Sequence, residues 1–249
     1  MPRFLRRTRR RLGEFLGERW RAGFVILTAF VVAFAAGAVI FTRPSQAEPV
    51  YTPRMTPSAT PILVTPSPVP LISVVAFGDS ITGGCSLDGC GKPWVSLLAV
   101  DRPDMAIGNA GVGGNTTAMM LARVDTVVAA HPALVLLMGG TNDSGSPEET
   151  AANLQAIVET LKASGAAVVV LTIPPRSGMG TAEGIGARNA AIKSMAASEG
   201  VSLIDIYPSL AQADGTYKPD LTVDGTHPNA AGNVVIEGVV LPALVRLGY

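Results

Sequence analysis

The sequence predicts a single three-layer α/β domain with a central parallel sheet, preceded by a transmembrane helix and a proline-rich linker. From residue 71 onward, short apolar runs alternate with segments of helical periodicity, which is typical of a parallel sheet covered by helices on both faces. About 180 residues are enough for one such domain with its own core. The chain before residue 71 has a different composition, which indicates a membrane segment and a linker.

Five strands and five helices follow from this alternation, with no internal repeat. The strands are predicted near residues 72–77, 105–108, 133–138, 167–173 and 201–206. The helices are predicted near residues 93–100, 115–129, 147–164, 183–199 and 228–246.

The N-terminal segment has the pattern of a membrane anchor. Residues 1–21 carry eight arginines and two glutamates, and the segment that follows, residues 22–41, carries no charge. A helix of that length spans about 30 Å, the hydrocarbon thickness of a bilayer. The basic flank should stay cytoplasmic, so the C-terminal domain is expected outside the cell membrane. Cleavage after Ala47, which would give a secreted protein, is the alternative; the long apolar stretch favours a retained anchor.

Residues 42–70 are predicted to be a linker. The segment contains eight prolines and eight serines or threonines, so it lacks the apolar residues for a core. In an extended conformation it reaches up to about 90 Å, at about 3.1 Å per residue. A passive stalk is its simplest role.

The first predicted strand ends in Gly78-Asp79-Ser80-Ile81-Thr82. A serine just past the carboxyl end of a strand, where a helix begins, is exposed on a rigid scaffold in the field of the helix dipole. Ser80 is therefore a candidate nucleophile. The alternative is that Asp79 or Ser80 only caps the helix.

Two further segments combine a strand end with potential hydrogen-bond donors. Residues 109–117 are rich in glycine, which lets the backbone approach a ligand closely. Gly139-Gly140-Thr141-Asn142-Asp143 follows the third strand, and the Asn142 amide could stabilise a developing oxyanion. Ordinary turns are the alternative for both segments.

The chain has two histidines, and they differ in their surroundings. His227 lies in Asp224-Gly225-Thr226-His227, where a nearby carboxylate could orient the imidazole of a general base. His131 precedes a proline after a predicted helix, where a cationic side chain suits the helix dipole, so a structural role is expected there. The alternative for the segment from Asp224 to His227 is a turn that caps the last helix.

In this order, these four segments resemble the blocks of the SGNH, or GDSL, hydrolase family. The resemblance covers residues 71–249 and implies a flavodoxin-like fold. It implies a catalytic triad of Ser80, Asp224 and His227, and an oxyanion hole formed by the backbone N–H groups of Ser80 and Gly114 and the side chain of Asn142. The ordinary α/β-hydrolase family is disfavoured because no Gly-x-Ser-x-Gly motif occurs.

The resemblance implies a serine esterase that works through an acyl-enzyme, with no cofactor and no metal ion. No extended apolar stretch near the blocks indicates a tunnel for a long acyl chain, which favours a short acyl group, such as acetyl, on a carbohydrate or small molecule. The five aromatic residues of the domain are too few for a long sugar-stacking platform, although one or two could bind a single ring. The alternatives are a lysophospholipase or thioesterase acting on lipids, an acyltransferase, and a non-catalytic surface binding module.

Cys85 and Cys90 are predicted to form a small-loop disulfide, which fits an oxidising, extracytoplasmic compartment. Residues 71–249 hold nine Lys or Arg and 16 Asp or Glu, a net charge of about −7, so nucleic acid is not an expected partner. The expected partners are the acyl-ester substrate and, through the N-terminal helix, the membrane. The catalytic domain is expected to be a monomer.

The segment from Pro174 to Gly186 follows the fourth strand and contains four glycines. It should therefore lie at the catalytic edge of the sheet, where it is a candidate mobile lid. An ordinary surface loop is the alternative.

Overall fold

Five parallel strands form the central sheet of the computed structural model, which describes residues 71–177 and 181–249 but not the side chains of 181–183. The sheet order is β2-β1-β3-β4-β5, and every neighbouring pair is parallel. The strands are β1 (Ile72–Gly78), β2 (Met105–Gly111), β3 (Leu134–Met138), β4 (Ala167–Leu171) and β5 (Ser202–Ile204).

The burial of each strand explains its composition. Every residue of β3 is buried, and so are the last five residues of β1, because helices cover both faces of the sheet. Strand β2 lies at an edge and is largely accessible. All five predicted strands are present. Strand β2 extends three residues further than predicted, whereas β4 and β5 end earlier, at Leu171 and Ile204.

Eight helices occur in the described part of the chain. They are α1 (Ser80–Gly83), α2 (Trp94–Asp101), α3 (Thr117–Leu121), α4 (Val124–Val128), α5 (Pro147–Ala163), α6 (Thr181–Ser198), α7 (Tyr207–Leu210) and α8 (Ala230–Arg246). Helices α2 and α8 pack together, whereas α3, α4 and α6 all contact α5.

The strand order explains these two groups of helices. The chain leaves β1 in one direction to form β2 and then crosses to the other side of β1 to form β3. Because crossover connections are right-handed, this reversal puts α2 on one face and α3 to α6 on the other. All described residues belong to one compact unit, so the predicted three-layer α/β domain is confirmed.

One helix prediction is wrong. The segment 115–129, predicted as a single helix, forms the two short helices α3 and α4. Between them Arg123 adopts φ −122° and ψ 12°, outside the helical region, and its side chain turns back toward the sheet. The short helices α1 and α7 were also not predicted.

No helix within residues 71–177 and 181–249 is long and apolar enough to cross a membrane. The predicted anchor, residues 22–41, and the predicted linker, residues 42–70, lie outside the described residues.

Candidate active site

Ser80, His227 and Asp224 form a chain of two hydrogen bonds across the carboxyl edge of the sheet. The Ser80 hydroxyl lies 2.9 Å from Nε2 of His227, and Nδ1 of the same ring lies 2.8 Å from Oδ2 of Asp224. With the Nδ1 proton donated to the carboxylate, Nε2 is left as the acceptor for the serine hydroxyl. Residues 147 positions apart in sequence thus meet in the geometry of a nucleophile, a base and an orienting acid.

The turn after β1 presents Ser80. Asp79 caps helix α1, and its Oδ1 accepts a hydrogen bond of 2.8 Å from the Ile81 N–H. At Gly78 a Cβ atom would lie 2.6 Å from the Met138 carbonyl oxygen, so only glycine allows β1 to pass this close to β3. The cap predicted as the alternative is therefore present, but Asp79 supplies it and leaves the Ser80 hydroxyl free for His227.

Asp79 is completely buried beneath the turn. Burial raises the pKa of Asp79 to about 6, although the hydrogen bond from the Ile81 N–H favours the charged form. No described residue makes a hydrogen bond to its Oδ2. A carboxyl group that resists ionisation thus lies directly under the candidate nucleophile.

The His227 loop is held mainly by its own hydrogen bonds. Oδ1 of Asp224 accepts from the backbone N–H of His227 (2.7 Å) and of Thr226 (2.9 Å). The His227 carbonyl in turn accepts from the Thr222 hydroxyl (2.8 Å) and the Val223 N–H (3.0 Å). Burial alone would raise the pKa of Asp224, but the bonds from His227 and Thr226 hold it below its usual value. The carboxylate is therefore charged at neutral pH.

The structure brings the three candidate oxyanion donors to the same edge. A Cβ built on Gly113 would lie 3.9 Å from the Cβ of Ser80, so the glycine segment runs beside the serine. Gly114 has φ +74°, a conformation that favours glycine. Among the described residues, neither the Ser80 N–H nor the Gly114 N–H has a hydrogen-bond acceptor. Both donors are thus available to a ligand.

The Asn142 side chain links the third segment to the second. Its Nδ2 donates a hydrogen bond of 3.0 Å to the carbonyl oxygen of Asn115. An amide nitrogen carries two protons, so this bond orients the group and leaves a second N–H for a ligand.

Asp143 is a positioning residue that the sequence motifs did not single out. Its carboxylate accepts from the Thr117 N–H (2.8 Å), the Thr117 hydroxyl (2.5 Å) and the Thr150 hydroxyl (2.7 Å). It therefore joins the ends of α3 and α5 to the strand end that carries Asn142. Its position next to Asn142 could have marked it as part of the site. The sequence does not show, however, that its carboxylate bonds to Thr117, 26 residues away.

Cys85 and Cys90 form the predicted disulfide, with their Cα atoms 6.0 Å apart. The bridged loop packs on the start of α8: the Gly89 carbonyl accepts from the Ala230 N–H (3.0 Å), and the Cys90 carbonyl accepts from the Asn233 amide (3.1 Å). Since α8 begins just after His227, the loop supports the segment that carries the candidate base.

His131 lies away from this site. It follows α4 with φ +46°, it is exposed, and its N–H donates to the Val128 carbonyl (2.9 Å). It precedes β3, so it occupies the opposite edge of the parallel sheet from Ser80. Its predicted place after a helix is confirmed.

The segment after β4 reaches the site in its described part. Arg176 donates to the Thr141 carbonyl (3.3 Å), and the Ser177 N–H donates to the Gly225 carbonyl (2.6 Å). Helix α6 begins at Thr181, earlier than predicted, which shortens the candidate lid. Residues 178–180 lie outside the described residues, and lid motion stays a prediction.

Two cavities lie at or near the site. One of about 10 Å³ is lined by residues that include Ser80, His227 and Cys85. Another of about 160 Å³ is mainly polar and is lined in part by the residues that follow Asn115 and Asn142 in the sequence; its walls include Thr116, Thr117, Asp143, Ser144, Glu149 and Asn153. No group of three or more His, Cys, Asp or Glu residues in the described part of the chain is arranged to hold a metal ion.

Several solved structures resemble the chain. TesA shares 29% sequence identity at a TM-score of 0.58, and the alignment covers 69% of this chain and 97% of TesA. A GDSL-like lipase of Bacteroides thetaiotaomicron shares 24% identity at a TM-score of 0.59, covering 71% and 89%. An acetyl xylan esterase shares 21% identity at a TM-score of 0.61, covering 69% and 99%. At the low identity of the last two, the likeness shows the fold alone.

The family comparison covers most of the domain. No curated protein matches the chain. Residues 76–235, however, match the model of the GDSL-like Lipase/Acylhydrolase family, and this range contains the four segments that meet at the site. The chain therefore belongs to the GDSL-like lipase/acylhydrolase family, the ester-hydrolysing enzymes also called SGNH hydrolases.

Proposed function

We propose that the enzyme hydrolyses short-chain acyl esters, with Ser80 as nucleophile, His227 as general base and Asp224 as the residue that orients the imidazole. The observation that carries this proposal is the continuous hydrogen-bonded chain from the Ser80 hydroxyl through the His227 ring to Asp224. His227 takes the proton while Ser80 attacks the ester carbonyl, and the charged Asp224 stabilises the imidazolium that forms.

In this mechanism the oxyanion is stabilised by the backbone N–H groups of Ser80 and Gly114 and by the amide of Asn142. The two N–H groups lack acceptors among the described residues, and Asn142 has one N–H to spare, which supports these roles. The imidazolium then protonates the leaving alcohol. A water molecule activated by His227 hydrolyses the acyl-enzyme and releases Ser80.

The space at the nucleophile supports a small acyl group. The cavity on the side of Ser80 that faces His227 and Cys85, which Gly114 and Asn142 do not line, has a volume of about 10 Å³, room for about one water-sized group. An acetyl methyl group is of comparable size, whereas a long alkyl chain would need another path.

The alcohol part of the ester is proposed to carry several hydroxyl groups, as a carbohydrate does. The cavity of about 160 Å³ next to the Asn142 segment is lined mainly by polar residues, among them Thr116, Ser144 and Glu149. Phe77, Trp94 and Tyr217 are buried, so they offer no stacking platform for a long glycan. Recognition would therefore depend on hydrogen bonds to one or two sugar rings.

A chain-length series of chromogenic esters, from acetate to palmitate, tests the acyl preference, and acetylated sugars test the alcohol. We expect kcat/KM to be highest for acetate and to fall steadily with chain length, and we expect acetate release from acetylated sugars. A maximum at eight carbons or more would contradict the short-chain proposal and favour a lipid hydrolase. Transfer of the acyl group to an added sugar in preference to water would identify an acyltransferase instead.

The Ser80→Ala variant is the matched control for the chemistry. We expect it to lose turnover of every ester and to lose labelling by a fluorophosphonate probe. Wild-type protein that neither turns over esters nor binds the probe would instead be a non-catalytic binding module.

We further propose that the domain works outside the cell membrane, anchored by residues 22–41. The disulfide between Cys85 and Cys90 supports an oxidising compartment. Protease accessibility in intact cells tests the location, and the mass of the mature chain separates a retained anchor from cleavage after Ala47. Protection of the domain from external protease in intact cells, lost on lysis, would contradict the proposal.

A further inference from the structure

Arg123 lies between α3 and α4 and extends its side chain into the carboxyl edge of the sheet. Its Nε donates to Oδ1 of Asn115 (2.7 Å), Nη1 to the Ala110 carbonyl (2.9 Å) and Nη2 to the Gly78 carbonyl (2.8 Å). Its Cζ also lies 4.6 Å from the centre of the Phe77 ring. The guanidinium thus uses its three nitrogens on the end of β1 and on two positions of the glycine segment, residues 109–117.

Each of these acceptors adjoins a candidate oxyanion donor. Gly78 lies two residues before Ser80, and Ala110 lies at the end of β2, where the glycine segment begins. Asn115 directly follows Gly114, and its carbonyl accepts the hydrogen bond from Asn142. One planar group therefore braces the turn that carries Ser80 against the glycine segment, where the backbone bond from the Val112 N–H to the Gly78 carbonyl (3.1 Å) also joins them. Through Asn115 it also reaches the residue that holds the Asn142 amide.

The charge of Arg123 is not used in an ion pair. No Asp or Glu in the described part of the chain lies within ion-pair distance of it. Burial lowers the pKa of Arg123, yet a guanidinium remains protonated at any physiological pH. A partly buried cation held by carbonyl and amide oxygens and by the Phe77 ring, without a carboxylate, costs desolvation without the gain of a salt bridge. This cost argues for a role beyond surface solubility.

We propose that Arg123 is a positioning residue for the oxyanion hole: through Gly78, Ala110 and Asn115 it sets the distances among the donors at Ser80, Gly114 and Asn142. This inference rests on the proposed esterase mechanism. Because such donors act on the transition state more than on the bound ester, displacement of the donors should lower kcat and leave KM nearly unchanged.

Arg123→Lys is the central test, because lysine keeps the positive charge but cannot make three diverging hydrogen bonds. We expect kcat for a short ester to fall by roughly 10- to 100-fold, with KM changed by less than about threefold. Affinity for a boronic acid that forms a tetrahedral adduct with Ser80 should fall by a similar factor. Arg123→Ala should regain part of its kcat in millimolar guanidinium but not in methylammonium.

Arg102→Lys is the matched control. Arg102 also bonds to a carbonyl, that of Tyr249, and to the carboxylate of Asp104, but it precedes β2 and so lies at the opposite edge of the sheet. We expect its kcat and boronate affinity to match the wild type. If Arg123→Lys does not fold, Asn115→Ala removes only the Nε acceptor and should still lower kcat without raising KM.

The inference would be overturned if Arg123→Lys had the same kcat and the same boronate affinity as the wild type. A lower melting temperature with an unchanged kcat per folded molecule would overturn it too. Ser80→Ala separates this failure from failure of the proposed mechanism. An active Ser80→Ala variant would reject the mechanism itself, whereas an inactive one beside a fully active Arg123→Lys would reject only the role of Arg123.

Discussion

Both oxygens of the Asp224 carboxylate bind His227: Oδ2 lies 2.8 Å from the ring Nδ1, and Oδ1 accepts from the backbone N–H at 2.7 Å. The carboxylate therefore orients the imidazole and shapes the backbone that carries it. Two further bonds, from Thr222 and Val223, hold the His227 carbonyl independently of Asp224. The loop thus keeps part of its shape when the carboxylate is removed.

From this redundancy we expect Asp224→Ala to be less damaging than the loss of the other two triad members. Ser80→Ala and His227→Ala should remove nearly all esterase activity, whereas the kcat of Asp224→Ala should remain roughly 10- to 100-fold above theirs. Steady-state kinetics of the three purified variants on one short ester provides the measurement. Equal losses in all three would mean that Thr222 and Val223 do not preserve the loop.

Removal of the Asn142 amide should destabilise the transition state more than the bound ester. We expect Asn142→Ala to lower kcat by about 100- to 1000-fold, with a small effect on KM, because the third oxyanion donor is lost. Asn153→Ala is the control: this amide donates to the Thr117 hydroxyl (3.1 Å) and lines the polar cavity, so on a simple acetate ester without a sugar its kcat should stay near that of the wild type. If both variants lost kcat equally, the cause would be a general disturbance of the α3 region, and Asn142 would have no specific role as an oxyanion donor.

The strands, and the polar residues that end them, could be predicted from the sequence because both depend on local signals. A buried parallel strand is a short apolar run, and the polar residues that end it, such as Ser80 and Asn142, fall at the carboxyl edge by topology alone. The glycine segment and the His227 loop also carry recognisable residue patterns.

The supporting contacts could not be predicted in the same way. Met120, Val124 and Val127 keep helical spacing through residues 115–129, so nothing local marks Arg123 as the point where the helix breaks. Its partners at Gly78 and Ala110 are 45 and 13 residues away in sequence. The cap formed by Asp79 was foreseeable, but its complete burial depends on the packing of the whole edge.

The buried Asp79 should make stability fall as pH rises. Its pKa is about 6 in the folded protein against 3.8 as the ordinary value, so between about pH 4 and pH 6 the unfolded chain releases a proton that the folded chain keeps. Asp79→Asn retains the capping oxygen without the charge. Relative to the wild type, its free energy of unfolding should rise by roughly 2 to 3 kcal/mol between pH 4 and pH 7.

Urea unfolding at a series of pH values measures this difference. Asp104→Asn is the control, because the Arg102 guanidinium holds the pKa of the exposed Asp104 carboxyl below its usual value and its contribution changes only below about pH 4. Parallel pH curves for the wild type and Asp79→Asn would show that Asp79 ionises as readily in the folded protein as in the unfolded chain.

The disulfide should stabilise both the fold and the His227 segment. Closing the short loop between Cys85 and Cys90 contributes about 2 kcal/mol in the chain-entropy model. The double variant Cys85→Ser/Cys90→Ser should therefore melt roughly 4–8 °C lower. Its kcat should also fall, since the loop carbonyls of Gly89 and Cys90 hold the start of α8 beside His227, the proposed catalytic base.

Treatment with reductant distinguishes the effect of losing the disulfide from the effect of the two serine substitutions. Dithiothreitol should lower the melting temperature and kcat of the wild type to those of the double variant, and should leave the double variant unchanged. Thiol titration should first show that Cys85 and Cys90 are reduced. If the melting temperature of the wild type then stays unchanged, packing against Ala230 and Asn233 holds the loop without the bridge. A lower melting temperature with unchanged kcat would confine the effect to stability and leave His227 independent of the loop.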